Sequence, residues 1–351
     1  MTELAAGEKD RDCIQVSIIC ATYNHEPYIR EAIEGFLMQE TNFPFEIIIH
    51  DDCSTDDTAS VVAEYERKYP NIITAVLQDE NQHSQGVCIQ DTFVAPLVKG
   101  KYVALCEGDD FWIDPNKLQL QYEALERNPE CSLCVHEVLG VNVEGCRNGN
   151  LFPAKKTKEG TIEVDELVYR IVGKGEYPFQ TSSFFLKREH YFFADEDSTP
   201  LLAPGMRRDE SLLRELMARG PFFFIGNAMS CYRQGVLGSW SSRARNDVAK
   251  VRNAEYMMKI NEIFDGITKG AYSEQVVLGN ERNHIVSLVS RGLITEAYRT
   301  YRGKESYRSL PWHMRVDMAL SSRIPFLHGI YVVIKGPLAR FAQCLRGMFR
   351  K

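Results

Sequence analysis

Glu107-Gly108-Asp109-Asp110-Phe111-Trp112 sets three carboxylates within four residues. The run ahead of it, Tyr102-Val-Ala-Leu-Cys106, is apolar throughout and predicts a buried strand. Asp114-Pro115 behind it opens a helix. Acids that repel one another on a glycine turn are poor packing material, but they form a good oxygen cage for a hard cation. Open α/β sheets also place their ligands beyond the carboxyl ends of their strands. A solvated acidic turn would have the same composition, so the neighbouring segments must decide.

Upstream, Val16-Ser-Ile-Ile-Cys20 reads as a first buried strand. The loop Ala21-Thr22-Tyr23-Asn24-His25 follows, Pro27 suits a first helical turn, and Ile29, Ala32, Ile33, Phe36 and Leu37 recur at helical spacing. A second strand, Phe45-Glu-Ile-Ile-Ile-His50, ends in Asp51-Asp52-Cys53-Ser54-Thr55-Asp56-Asp57. Asp56 or Asp57 can cap the next helix, which carries Val61, Val62, Tyr65 and Tyr69 and stops at Pro70. Residues 72–77 form a third strand. The polar loop Asn81-Gln-His-Ser-Gln-Gly86 then leads to a helix bearing Ile89, Phe93 and Leu97. This alternation predicts an α/β fold with a mostly parallel central sheet and helices on both faces. Each acidic loop follows a strand, so the acids gather on one edge.

That edge suits a nucleotide, yet neither G-x-G-x-x-G nor G-x-x-x-x-G-K-[ST] occurs. A dinucleotide dehydrogenase and a P-loop phosphotransferase are thereby disfavoured. A divalent cation on the 107–110 cluster would neutralise phosphates instead. Asp51 or Asp52 could accept hydrogen bonds from a base imide N–H or a ribose hydroxyl, or could merely cap a turn.

Farther on, residues 140–160 are polar and read as a loop with little structure. Gln180-Thr-Ser-Ser-Phe-Phe-Leu186 reads as a strand. Arg207-Arg208-Asp209-Glu210 precedes an amphipathic helix carrying Leu212, Leu213, Leu216 and Met217. An acid in that first turn also complements the helix dipole, so position alone favours a structural role for Asp209 or Glu210. Phe222 to Ile225 forms another strand. Tyr232-Arg233 and Gly238-Ser239-Trp240-Ser241 follow, and the pattern turns helical from residue 246.

The 351 residues are 44% hydrophobic, enough for one substantial core and a smaller second unit. A net charge of −7 argues against general nucleic-acid binding. Residues 1–12 form a polar leader without a signal-peptide pattern, and no apolar run reaches the ~18 residues of a membrane span. Ten cysteines are scattered. Several lie in apolar strands, and Cys131-Ser-Leu-Cys134 reads as strand rather than zinc site. The chain therefore reads as cytoplasmic and reduced. Residues 318–351 hold six Lys/Arg and no acid. From Leu338, the apolar Leu338, Phe341, Leu345, Met348 and Phe349 share one helical face, opposite Arg340, Arg346, Arg350 and Lys351. Such a basic amphipathic helix over 338–351 suits the anionic inner face of a cell membrane, or a packed helix face on the domain or a partner subunit.

In this order, the segments Val16-Ser-Ile-Ile-Cys-Ala-Thr-Tyr-Asn24, Glu46-Ile-Ile-Ile-His-Asp-Asp-Cys-Ser-Thr-Asp56 and Gly100-Lys-Tyr-Val-Ala-Leu-Cys-Glu-Gly-Asp-Asp110 resemble the family 2 glycosyltransferases of GT-A fold. The likeness is specific over about residues 14–136 and continues to about 242. It implies a GT-A domain over 13–242, with a nucleotide-sugar-binding half at 13–137 and an acceptor half at 161–242, followed by a helical region at 246–351. By position it implies that Thr22, Tyr23, Asn24, Asp51 and Asp52 hold the nucleoside of a UDP-sugar. Glu107-Gly108-Asp109 matches the family's D-x-D motif. Asp109 is then the direct ligand of Mg2+ or Mn2+, Asp110 stands beside it, and Glu107 and Gly108 lie against the donor. Asp209 matches the catalytic base at the acceptor side, with Glu210 beside it, and this outweighs the dipole reading. Ser182, Tyr232, Arg233 and Trp240 fall on the acceptor side or on a flap closing over the diphosphate. The sequence departs from the family at Glu107, where aspartate is usual, at Ala21, where proline is common, and at 81–86, which lacks an Ala-Arg-Asn run. The implied activity is inverting sugar transfer to a glycan or lipid-linked glycan of the cell surface. A nucleotidyltransferase would carry a Gly-rich basic loop after the first strand, and a non-catalytic scaffold would have lost the acids.

Overall fold

The computed structural model describes residues 14–192, 199–203, 206, 208–236, 239 and 246–323. The leader, Trp240 and the basic segment 338–351 lie outside the described residues. Two compact units emerge. One takes the described residues up to Val164 with those from Tyr177 to Gln234, and the other takes Asp165–Glu176 with those from Gly235 onward.

In the first unit the chain runs β1 (Val16–Thr22), α1 (Ile29–Leu37), β2 (Phe45–Asp51), α2 (Thr58–Lys68), β3 (Ile73–Leu77), β4 (Tyr102–Glu107), β5 (Phe111–Trp112), α3 (Lys117–Arg127) and β6 (Leu133–Val141). Strands β7 (Arg147–Phe152) and β8 (Gly160–Ile162) follow. After α4 (Val164–Val168), all but its first residue in the second unit, come β9 (Phe185–Lys187), α5 (Asp209–Arg219) and β10 (Phe222–Arg233). One mixed sheet has the order β3-β2-β1-β4-β9-β6-β10-β5, with β7 beside β6 and β8 beside β10. Strands β3, β2, β1 and β4 are mutually parallel. Beyond them β9 runs antiparallel to both β4 and β6.

The apolar runs explain the parallel half. β1, β2 and β4 are buried almost end to end, as strands covered on both faces must be. In α1, Ile29, Ala32, Ile33 and Phe36 point into the core at helical spacing. They pack with Ile18, Ile47, Tyr102, Leu118 and Phe185 in one cluster, each such side chain contributing roughly 1.5–3 kcal/mol on burial. At the start of α2 it is Asp56, of the two candidate caps, whose carboxylate accepts from Thr58 N at 3.0 Å.

Three segments differ from the sequence reading. Residues 140–160 are not a structureless loop: β6 and β7 form an antiparallel hairpin, turned where Asn142 N donates to Cys146 O and Gly145 takes φ +79°. The β7 side chains are mostly exposed, so no apolar alternation marks the strand. The helix around Phe93 is a π turn (Gln90–Val94) followed by a 3-10 turn (Ala95–Leu97), because Pro96 has no N–H for a regular ladder. The strand read from Gln180 begins as a 3-10 turn (Thr181–Ser183) and becomes the short β9 only at Phe185. Cys131 and Cys134 are buried unpaired thiols, and burial pushes the Cys131 thiol up to about 11.

The second unit is helical: α6 (Asp247–Ile267), α7 (Ser273–Ser290), α8 (Ile294–Tyr301), α9 (Glu305–Arg308) and α10 (Trp312–Arg323). Asn246 caps α6 by accepting from Ala249 N at 2.8 Å. Its own core includes Ile285, Leu288, Ala297, Tyr298 and Met318. No described helix is long and apolar enough to cross a membrane.

Candidate active site

Sheet register brings the strand ends level. Thr22 lies opposite Asp51 and Ala21 opposite Glu107. The ladder continues past the strands, with Asp52 N donating to Thr22 O at 3.1 Å and Gly108 N to Ala21 O at 2.9 Å. Asp110 N then closes the turn onto Glu107 O at 3.1 Å. A Cβ on Gly108 would lie 2.5 Å from Thr22 Oγ1, so only glycine allows β1 and the acidic turn to approach this closely.

The nucleoside-side residues divide by what holds them. Asp51 accepts from Ser54 N at 2.9 Å and from the Ser54 hydroxyl. Asp52 accepts from Gln82 N at 2.8 Å and His83 N at 3.1 Å, which pins the 81–86 loop to the sheet. Asn24, at φ 55°, accepts from Thr55 N at 2.7 Å and joins the loops after β1 and β2. Tyr23 is 40% exposed, so its ring is available at the rim for stacking. Both aspartates thus build the loops that shape this edge.

The carboxylates converge. Burial holds the Glu107 carboxyl well above the usual range, and the charges of Asp109 and Asp209 add to the rise. Asp110 is raised well above its range by burial and by Asp109 and Glu107. Asp209, at the first position of α5, is raised by burial, while Thr181 and Tyr177 favour its charged form. Glu210 is raised by burial and then by Asp209. The dipole reading of Asp209 is weakened by its partner: it accepts from Thr181 Oγ1 at 2.9 Å, across from its own helix. The first turn of α5 is served by Ser211, whose hydroxyl accepts from Arg208 N at 2.9 Å. Carboxylates that raise one another's proton affinity mark uncompensated negative charge, which a hard divalent cation would relieve. The fit is partial. Asp110 spends one oxygen on Arg233 N at 2.9 Å, and among the described residues no group of three or more His, Cys, Asp or Glu is set to hold a metal. Oxygens of Glu107 and Asp109 remain as the donor set.

Two acceptor-side expectations need correcting. Ser182 is fully buried and its hydroxyl bonds Ser230 Oγ at 2.9 Å, so it packs under the site rather than facing it. Arg233 does not stand on a loose flap: it is 3% exposed and its guanidinium is committed to neighbouring loops. Tyr232 sets its ring edge-on to Phe152 at 5.7 Å.

Sequence reasoning passed over three neighbours. His25 Nδ1 meets Thr22 Oγ1 at 3.2 Å, and its Nε2 lies 3.9 Å from Asp109 Oδ2. Burial holds this imidazole below its usual range against the pull of Asp109. Thr181 bonds Asp209, and the buried Tyr177 hydroxyl lies beside it, where burial and the charges of Asp209, Glu210 and Glu107 hold the phenol well above its usual range. His25 could have been found from its adjacency to Thr22-Tyr23-Asn24. Tyr177 carries no local signal.

Residues 17–189 match the family model for glycosyl transferase family 2. The uncharacterized protein Rv1520 of Mycobacterium tuberculosis is 35% identical over 227 residues, 65% of this chain and 61% of that protein. The chain therefore spans under two thirds of the length of that relative. The poly(ribitol-phosphate) beta-N-acetylglucosaminyltransferase TarS of Staphylococcus aureus is 31% identical over 162 residues, 45% of this chain and 26% of that one. The crystal structure of TarS 1–349 in complex with UDP-GlcNAc superposes with a TM-score of 0.54 at 17% identity, covering 90% of this chain and 92% of the other, a likeness of fold. With the parallel strand ends, the acidic turn after β4 and this match in hand, residues 17–189 carry the glycosyl transferase family 2 pattern, and the chain has the GT-A fold.

Proposed function

We propose that the chain is an inverting glycosyltransferase, moving a hexosyl or N-acetylhexosaminyl group from a UDP-sugar to a hydroxyl of a glycan or lipid-linked glycan in cell-surface polysaccharide synthesis. The observation that carries this reading is the convergence of Asp209 with Glu107 and Asp109 across a hundred residues of chain. The UDP-GlcNAc complex of TarS supports the donor class, and the action of TarS on poly(ribitol-phosphate) supports the acceptor class.

Inverting transfer needs a base at the acceptor hydroxyl, in-line attack on the anomeric carbon and neutralisation of the leaving diphosphate. Asp209 is the base. Burial raises its proton affinity, which suits removal of a hydroxyl proton near neutral pH. Thr181 Oγ1 fixes one of its oxygens in place. Tyr23 offers a ring for the base of the donor, and Asn24, Asp51 and Asp52 hold the loops that frame the nucleoside. Mg2+ or Mn2+, held by Asp109 and Glu107, would supply charge neutralisation on the diphosphate. The segment 338–351 would place the enzyme on the cytoplasmic face of an anionic membrane, near a lipid-linked acceptor.

The test is calorimetry of UDP with and without Mn2+ on wild type, Asp109→Asn and Asp209→Asn. Mn2+-dependent binding should be weakened by Asp109→Asn and preserved by Asp209→Asn. With a turned-over UDP-sugar in hand, Asp209→Asn should lose about 10²–10⁴-fold in rate. Wild type that binds no UDP in either condition would overturn the donor assignment, and loss of turnover on Glu210→Gln alone would move the base by one residue.

A further inference from the structure

Arg233 ends β10 beside the acidic turn: Cys231, two residues before it, pairs with Phe111 of β5. All four of its nitrogens are occupied. Its backbone N donates to Asp110 Oδ1 at 2.9 Å and Nε to Asp109 O at 2.9 Å. Nη1 donates to Val143 O at 2.9 Å in the β6–β7 turn, and Nη2 to the Glu31 carboxylate of α1. The guanidinium plane also covers the Tyr28 ring at 4.6 Å and the Phe111 ring at 5.1 Å. One side chain therefore ties α1, the acidic turn and the hairpin together. The Asp109 carbonyl and the Asp110 carboxylate, held at once, fix the peptide between them. That peptide sets the direction of the Asp109 side chain, whose ion-pair contact with His25 is a loose 3.9 Å.

We infer that Arg233 is a positioning residue which aims the Asp109 carboxylate at the cation–diphosphate through the acidic turn, and does not itself touch the diphosphate. The inference rests on the reading that Asp109 holds the cation. A flap arginine reaching the diphosphate would have to release all three guanidinium nitrogens and two rings from a 3% exposed position. Lysine cannot replace it, because one ammonium lacks the planar fork that spans separate loops.

Calorimetry with UDP alone and UDP plus Mn2+ on the full chain separates the outcomes. In Arg233→Lys, the gain in UDP affinity produced by Mn2+ should fall by about tenfold, the equivalent of one charge-assisted hydrogen bond, while affinity for UDP alone stays unchanged. Because Arg233 is buried, Glu31→Gln serves as a second variant: Glu31 is 49% exposed, and glutamine keeps an acceptor for Nη2 but removes the charge that strengthens the bond, without opening the core. It should lower the Mn2+ gain in the same direction and leave UDP alone unaffected. A fall in affinity for UDP alone would mean direct diphosphate contact and overturn the inference, as would an unchanged Mn2+ gain in folded variants. Wild type without any Mn2+ gain would remove the cation reading itself, a result visible before any variant is made.

Discussion

Replacing Gly108 by alanine sets a Cβ 2.5 Å from Thr22 Oγ1, 2.8 Å from Thr22 Cβ and 3.0 Å from His25 Nδ1. The first contact could relax by rotating a hydroxyl. The second involves a Cβ fixed to the β1 backbone and cannot. Overpacking of this kind costs about 1–3 kcal/mol, which for a unit of this size lowers the melting temperature by roughly 2–12 °C. Gly108→Ala should therefore melt earlier by circular dichroism and also lose Mn2+-dependent UDP binding, since Asp109 is carried on the displaced turn. An unchanged melting curve would show that β1 and the turn are farther apart than they stand here. At this scale the sequence was informative about residue type and poor on partnership. Three acids in four residues announce a site, but nothing local tells that Asp52 is spent on Gln82 and His83, or Arg233 on three loops. Those bonds join residues far apart in sequence, and no periodicity encodes them.

Helix α3 carries a buried cation directly behind the acidic turn. Lys117 is fully buried, donates to Gln121 Oε1 at 2.7 Å and lies 3.8 Å above the Trp112 ring. Burial lowers its ammonium from the ordinary 10.5 to about 7. Below pH 7 both folded and unfolded chains hold the proton, so the folded state bears the whole cost of a buried charge. Between pH 7 and 10.5 only the unfolded chain keeps it, and stability rises with pH. Lys117→Met removes this charge and loses the Gln121 bond, a loss that does not change with pH. The melting temperature of Lys117→Met relative to wild type should thus be most favourable near pH 6 and decline steadily toward pH 10. A difference independent of pH would mean that the amine is solvated. Elements such as α1 were readable because buried faces repeat at helical spacing, α3 because Asp114-Pro115 opens it, and the doubly covered β1, β2 and β4 because they are continuously apolar. The β7 strand was not, since an exposed hairpin edge has no such pattern, and Pro96 broke a helix whose apolar spacing looked regular.

For the molecule as a whole, the remaining question is what a chain of net charge −7 does at an anionic surface. Most of it should be repelled, so any attraction must come from a segment with the opposite sign. Residues 338–351 hold four basic residues, Arg340, Arg346, Arg350 and Lys351, and an apolar face including Leu338, Phe341, Leu345 and Phe349. At about 1 kcal/mol per basic residue near such a surface, the electrostatic part amounts to roughly 4 kcal/mol, or about a thousandfold in binding. Salt screens it over a Debye length of about 10 Å at 0.1 M, whereas the apolar contribution persists. The full chain should therefore sediment with phosphatidylglycerol vesicles and much less with phosphatidylcholine vesicles, and salt should release part of it. A chain cut after Pro337 should stay in the supernatant with both while binding UDP as before, because every proposed donor contact lies upstream of the cut. If the shortened chain sediments as well as the full one, the basic segment is a packing helix, and access to a lipid-linked acceptor must depend on another surface.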